Sequence, residues 1–230
     1  MKKFILLAVA FVVTTSTVTL AQFKDVQLHY ETGSFKAGEQ TIKRDFFKVK
    51  LQVLHRDSLG LTYINTELDY NGPEKGMSFS QFTLLRSLKL PFLKYVQPTV
   101  GHAAALGRGN MYFAGVLVPA RFGKVTVLPL FLYSYTKAAK SPDARIMVGV
   151  NTRLFNNRVT IFGFASTWTA DDVVAGEVKG KKVAWQLSPQ IWFHVNKSIA
   201  IGSKLDYSRN LYTKDGSNDF LPTVGLRWVY

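Results

Sequence analysis

Beyond residue 22 the chain is a succession of short β-rich runs, and the links joining them alternate between tight and long. Runs rich in Val, Ile, Thr and aromatic residues, bounded by turn residues, read as strands. They fall at 23–31, 44–54, 59–70, 78–88, 94–106, 110–121, 125–136, 145–154, 158–168, 183–194, 199–208 and 220–230. That is about twelve strands of about ten residues, the even number and the length that transmembrane strands need. No long apolar stripe at helical spacing competes with this reading. With the N-terminus on the periplasmic side, every second link of a membrane barrel is a short turn. Arg56-Asp57-Ser58, Leu90-Pro91-Phe92, Phe122-Gly123-Lys124, Phe155-Asn156-Asn157 and Val195-Asn196-Lys197 suit that role. The longest links, Thr32 to Lys43, Lys137 to Ala144, Thr169 to Lys182 and Arg209 to Asp219, fall between them. A soluble sandwich has no reason to alternate in this way. The expected fold is therefore all-β, a transmembrane antiparallel barrel.

Side-chain parity supports it. Val183, Trp185, Leu187, Ile191 and Phe193 share one face of their run, against Gln186, Ser188, Gln190 and His194 on the other. The last run carries Phe220, Pro222, Val224, Leu226, Trp228 and Tyr230 on alternate positions and ends on an aromatic, as a strand closing a barrel against the first strand would. Runs 78–88 and 158–168 are blurred, with aromatics on both faces. Charges inside strands are the most informative residues. A charge aimed at lipid near the midplane costs about 2–4 kcal/mol, so in-strand charges opposite apolar faces should point inward. Lys48, Lys50, Glu67, Asp69, Arg145, Arg153, Lys204, Asp206 and Arg227 are the candidate pore-lining residues on this argument. They could select solutes, or they could pack the lumen shut through ion pairs, since twelve strands enclose only a narrow interior. Counting from the turn around Asp57 sets Lys48 level with Glu67, and Lys50 level with Tyr63 or Asn65. On that count Lys50 or Asp69 is left facing the pore.

The N-terminus reads as an export signal. Lys2 and Lys3 precede an apolar run from Phe4 to Val13, and Thr19-Leu20-Ala21 ends in a small residue suited to cleavage. Residues 1–21 are expected to be removed and 22–230 to form one barrel domain. Removing Lys2 and Lys3 lowers the formal net charge from +14 to +12. A basic exported protein suits anionic neighbours such as lipopolysaccharide. With no cysteine in the chain, neither disulfides, thiol chemistry nor a lipid-bearing cysteine enters the account. His29, His55, His102 and His194 show no zinc-type spacing, so no metal and no cofactor is expected. A serine hydrolase needs Ser and His in contact, and Ser188 and His194 lie too far apart along one strand face. Gly107-Arg108-Gly109-Asn110 is a turn signal and not a phosphate loop. Acidic residues inside the strands of an exported chain argue against a nucleic-acid surface. No enzymatic activity is expected; the alternatives kept open beside a channel are a non-conducting structural or adhesive barrel and a lipid-modifying enzyme.

Several stretches carry a family resemblance. They are Leu59-Gly60-Leu61-Thr62-Tyr63-Ile64-Asn65-Thr66-Glu67-Leu68-Asp69-Tyr70, Phe79-Ser80-Gln81-Phe82, Ser188-Pro189-Gln190-Ile191-Trp192-Phe193 and Val224-Gly225-Leu226-Arg227-Trp228-Val229-Tyr230. Through them the chain resembles a domain-of-unknown-function family of outer-membrane proteins that looks related to the nucleoside-specific channel-forming Tsx-like porins. The resemblance implies a twelve-stranded barrel with a narrow lumen, a porin-like channel passing small polar solutes such as nucleosides. It also implies outer-membrane lipid around the barrel and recognition of the C-terminal strand by the barrel-assembly machinery. Its motifs are structural and transfer no binding residue.

Overall fold

A computed structural model describes residues 21–37, 40–43, 46–71, 76–93, 95–106, 109–137, 139–174, 177–211 and 216–230. The signal-peptide reading falls on residues 1–20, outside the described residues, apart from Ala21. Fifteen β-segments follow one another. They are β1 (Ala21–Glu31), β2 (Ser34–Ala37), β3 (Gln40–Lys43), β4 (Phe46–Asp57), β5 (Gly60–Asn71), β6 (Gly76–Leu88), β7 (Gln97–Ala105), β8 (Gly109–Leu117), β9 (Ala120–Phe122), β10 (Val125–Thr136), β11 (Asp143–Leu154), β12 (Val159–Val174), β13 (Glu177–His194), β14 (Ile199–Arg209) and β15 (Asn218–Val229). Every pairing is antiparallel; apart from the short β2, β3 and β9 each strand pairs with the next along the chain, and β1 closes on β15 from Asp25↔Val229 to Glu31↔Thr223. Leaving aside the short β2, β3 and β9, twelve strands form a closed barrel. Closure leaves no free edge at membrane depth, which is the condition for crossing lipid with strands. No helix long and apolar enough to cross a membrane occurs among the described residues.

Ala21 and Tyr230, the first and last described residues, lie at one rim, here the terminal rim, with the links at 58–59, 89–96, 123–124, 155–158 and 195–198. At the opposite rim β2 and β3 form a hairpin that joins β15 through Phe220↔Ser34. Three sequence expectations need correction. The run 110–121 is interrupted at Val118 and Pro119, because proline has no N–H for the ladder; β8 and β9 flank the break and both pair with β10. Leu90-Pro91-Phe92 is part of an eight-residue link, 89–96, and not a tight turn. Thr169 to Lys182 is no loop. β12 and β13 continue together past the rim, matching Thr169↔Val183, Ala170↔Lys182 and Asp171↔Lys181. Charge made that segment read as a link, yet the charges face each other. Lys181 sits 2.7 Å from Asp143 and 2.6 Å from Asp171, and Asp171 also accepts from the Lys140 amide at 2.9 Å. Hydrogen bonding from Lys181, then from the Lys140 amide, holds the Asp171 carboxyl below its ordinary range.

Burial is the reverse of a soluble protein's. Asp25, Gln27, His29, Glu31, Lys48, Lys50, Gln52 and Asp206 are buried, while Leu28, Tyr30, Phe47, Val49, Leu187, Ile201, Val224 and Leu226 are exposed. The two sets alternate along the same strands, so the polar set lines the lumen and the apolar set meets lipid. Aromatics exposed at the terminal rim (Phe92, Tyr95, Phe122, Phe155, Trp228 and Tyr230) form the interfacial girdle such barrels carry. At the same rim Arg86 grips Asp57 with both guanidinium nitrogens, at 2.8 and 2.9 Å, and bonds Thr62 at 2.7 Å. Arg86 is the main reason the Asp57 carboxyl is pulled down to about 2.

Candidate functional site: a two-sided lumen

Register carries the inward face around the whole barrel, and the lumen proves to have two unlike walls. Polar side chains occupy the inward positions of β1, β4, β14 and β15, from Asp25 to Glu31, Lys48 to Gln52, Lys204 to Ser208, and Asp219, Thr223 and Arg227. Apolar side chains fill the wall from β4 round to β10, where Leu54, Leu61, Leu85, Ala103, Phe113, Leu117, Leu130 and Leu132 form one cluster. Tyr63, Met111, Leu128, Met147 and Phe162 pack against it. This apolar wall explains the blurred runs: Phe162, Phe164 and Trp168 share the inward register of β12 with Ser166. Alternation disappears where both faces of a strand meet apolar surroundings.

The polar wall is a connected network. Tyr63 accepts from Gln52 Nε2 at 3.0 Å, and Gln52 Oε1 accepts from Gln27 Nε2 at 3.0 Å. Gln27 also donates to Asp25 at 2.8 Å, and Asp25 takes two bonds from Arg227, at 3.0 and 2.6 Å. The His29 ring bridges Gln27 Oε1 and Thr223 Oγ1, each at 2.9 Å. Lys48 Nζ stands among three carboxylates, 2.8 Å from Glu67, 3.5 Å from Glu31 and 3.7 Å from Asp69. Across from it Lys204 pairs with Asp206 at 2.7 Å, and Asp206 accepts from Gln186 at 3.1 Å and from Ser188. Buried ions survive only with partners of this kind, because desolvation costs several kcal/mol per ion.

Glycines make room for the large rings. At Gly202 a Cβ would stand 2.1 Å from the Ile191 carbonyl oxygen and 2.6 Å from Trp192 Cε3. At Gly225 it would stand 3.0 Å from His29 Nδ1. Trp192 therefore lies fully buried against Gly202, edge-on to His29 at 5.4 Å and 5.8 Å from the Arg227 guanidinium.

Of the nine candidate residues, Lys48, Lys50, Glu67, Asp69, Lys204, Asp206 and Arg227 belong to this network. Arg145 and Arg153 stand apart. Arg145 lies 4.8 Å over the Trp168 ring towards the opposite rim, and Arg153 is exposed at the terminal rim. The hairpin register differs from the sequence count: Lys48 faces Asp69, and Lys50 faces Glu67. The turn is only Ser58-Leu59, with Asp57↔Gly60 the last pair, which moves each partner by two residues or more. Lys48 still reaches Glu67 as a diagonal neighbour. Neither Lys50 nor Asp69 is left open to a pore; each is about 2% exposed. Asp25, Gln27, His29 and Glu31 escaped the sequence argument, although their strict alternation with Val26, Leu28 and Tyr30 would have marked them. Among the described residues no group of His, Asp or Glu side chains could hold a metal.

At the terminal rim Leu154↔Val159 closes a turn through Phe155, Asn156, Asn157 and Arg158, with Arg158 N donating to Phe155 O at 3.1 Å. Phe155, Asn156 and Asn157 all have left-handed φ, at 50°, 53° and 67°. Asn tolerates that region; Phe does not, at a cost of about 1–2 kcal/mol. Beside this turn a cleft of about 530 Å³ is lined by Arg121, Lys124, Thr126, Asn151, Thr152, Arg153, Asn156 and Asn157.

A closed twelve-stranded antiparallel barrel with a polar lumenal wall and an apolar exterior has the fold of the outer-membrane porins. The chain belongs to the family described as a domain of unknown function (DUF5020), whose model matches residues 23–230. Among solved structures it is similar to the NanC porin, with 14% identity and a TM-score of 0.60, covering 89% of this chain and 98% of that one. The KdgM porin in complex with disordered oligogalacturonate gives 10% identity and a TM-score of 0.53, covering 90% and 99%. The COG4313 outer-membrane channel from Pseudomonas putida F1 gives 10% identity and a TM-score of 0.50, covering 93% and 97%. No curated protein matches.

Proposed function

We propose that the protein is an outer-membrane channel of narrow bore for small polar solutes, and that it is not an enzyme. The observation that carries this is the continuous polar wall. Side chains able to replace a solute's hydration occupy the inward positions along four strands, β1, β4, β14 and β15, facing an apolar wall. Such a lumen suits a solute with one apolar face and hydrogen-bonding edges, and a nucleoside has that form. KdgM was solved with oligogalacturonate, which supports a porin-like role in general without fixing this chain's solute. Passage requires side chains such as Lys48 and Gln52 to swing aside, since both are almost fully buried in this conformation. Transport is therefore slow and restrictive. In a liposome-swelling assay with the mature protein, nucleosides should enter faster than disaccharides. Equal rates for both would sink the bore and the solute preference together. A sealed barrel is the second reading, favoured by the burial of Lys48, Lys50, Leu117 and Leu132 alike.

A further inference from the structure

We propose that the terminal rim carries a binding site for phosphate groups, built around Arg121, Arg153 and the Phe155–Arg158 turn. Three cations line the cleft, Arg121, Lys124 and Arg153, and no Asp or Glu is among its lining residues. The three are exposed, so they can meet a ligand without dismantling the buried network. Register places Arg121 opposite Thr126, and Thr126 opposite Asn151; Arg153 lies two residues further along β11 on the same face. The cleft therefore opens towards the lumen mouth and away from lipid, which separates it from a lipid-headgroup site.

Its donors match an oxyanion. Each guanidinium presents a fork suited to two phosphate oxygens, and Arg121 is held in place by its Nε–H donating to Gly123 O at 3.1 Å. Asn151, Asn156 and Asn157 add side-chain amides. Strain at Phe155, an aromatic in a conformation that favours glycine or asparagine, is a second mark of a turn shaped for something beyond closing a hairpin. A volume of about 530 Å³ exceeds what a bare phosphate fills, leaving room for a sugar joined to it.

Binding can be read without any conduction, so its failure leaves the channel proposal standing. The mature protein, folded in detergent, is titrated with inorganic phosphate and followed by ³¹P NMR line width at constant ionic strength set with chloride. The expected result is saturable binding, weakened at least tenfold in Arg121→Gln/Arg153→Gln and partly restored in Arg121→Lys/Arg153→Lys. Retention of the heat-modifiable gel shift verifies that each variant is folded. Ribose 5-phosphate run alongside distinguishes the two sources of the group: tighter binding of the ester assigns the remaining volume to the sugar, and weaker binding assigns the site to free phosphate. Absence of saturable binding, full displacement by added chloride at equal ionic strength, or unchanged affinity in the folded glutamine variant overturns the proposal.

Discussion

Deleting Trp228 to Tyr230 should abolish most assembled barrel, the largest loss expected from any three-residue change. These residues complete the seam on both sides of β15. Trp228 matches Val26 on one neighbour and Ile199 on the other, and Val229 matches Asp25. Val229 N donates to Ser198 O at 2.8 Å, and Tyr230 N donates to Lys24 O at 3.0 Å. Without them backbone groups of β1 and β14 next to the terminal rim lose their partners, and the seam that closes the barrel starts to open from that end. The stacked Trp228 and Tyr230 rings, 5.4 Å apart, also leave the interfacial girdle. The expected yield of heat-modifiable protein in the outer-membrane fraction falls at least tenfold. Tyr230→Phe, which keeps strand and ring, should assemble normally. Wild-type yield of the deletion would remove β15 from its closing role.

Lys48→Met should be the most destabilising single substitution in the lumen. It deletes the ammonium that stands among Glu31, Glu67 and Asp69 and leaves their carboxylates crowded together at low dielectric. Breaking a buried ion pair by removing one partner costs about 3–5 kcal/mol, and here one cation serves three anions. The urea midpoint of the refolded barrel should fall accordingly. Adding Glu67→Gln to Lys48→Met should recover part of the loss, because it removes the carboxylate nearest the missing charge. The sign is diagnostic. If Lys48 faced lipid, Lys48→Met would raise stability, and the inward register of the whole β4–β5 hairpin would be wrong by one residue.

The barrel was legible in the sequence because its two signals are local. Alternation such as Val183, Trp185, Leu187 against Gln186, Ser188 needs no knowledge of neighbours, and turns such as that at Asn156-Asn157 announce themselves through residues that tolerate left-handed φ. Extents were harder. Asp171 and Lys181 look like loop residues until their pairing across the hairpin is known. The apolar wall was out of reach for a related reason. Leu85, Phe113 and Leu132 point inward, yet nothing in β6, β8 or β10 separates an inward leucine from a lipid-facing one. In-strand charges gave the polar wall only in part. Lys48, Lys50, Glu67 and Asp69 were found through the cost of charge in lipid, whereas Gln52 and Trp192 carry no such penalty and show their place only through the register of β4 and β13 with their neighbours.

Planar-bilayer recording of the refolded mature protein tests the channel most directly. Material that has first shown the heat-modifiable gel shift should give small, long-lived unit steps, well below those of a sixteen-stranded porin with an open aqueous lumen. Glu67→Gln should shift the zero-current potential towards anion preference, because it takes one negative charge out of the polar wall beside Lys48 and Lys50. Verified barrels that insert and pass no current at any applied voltage would contradict the account and leave the protein a sealed barrel.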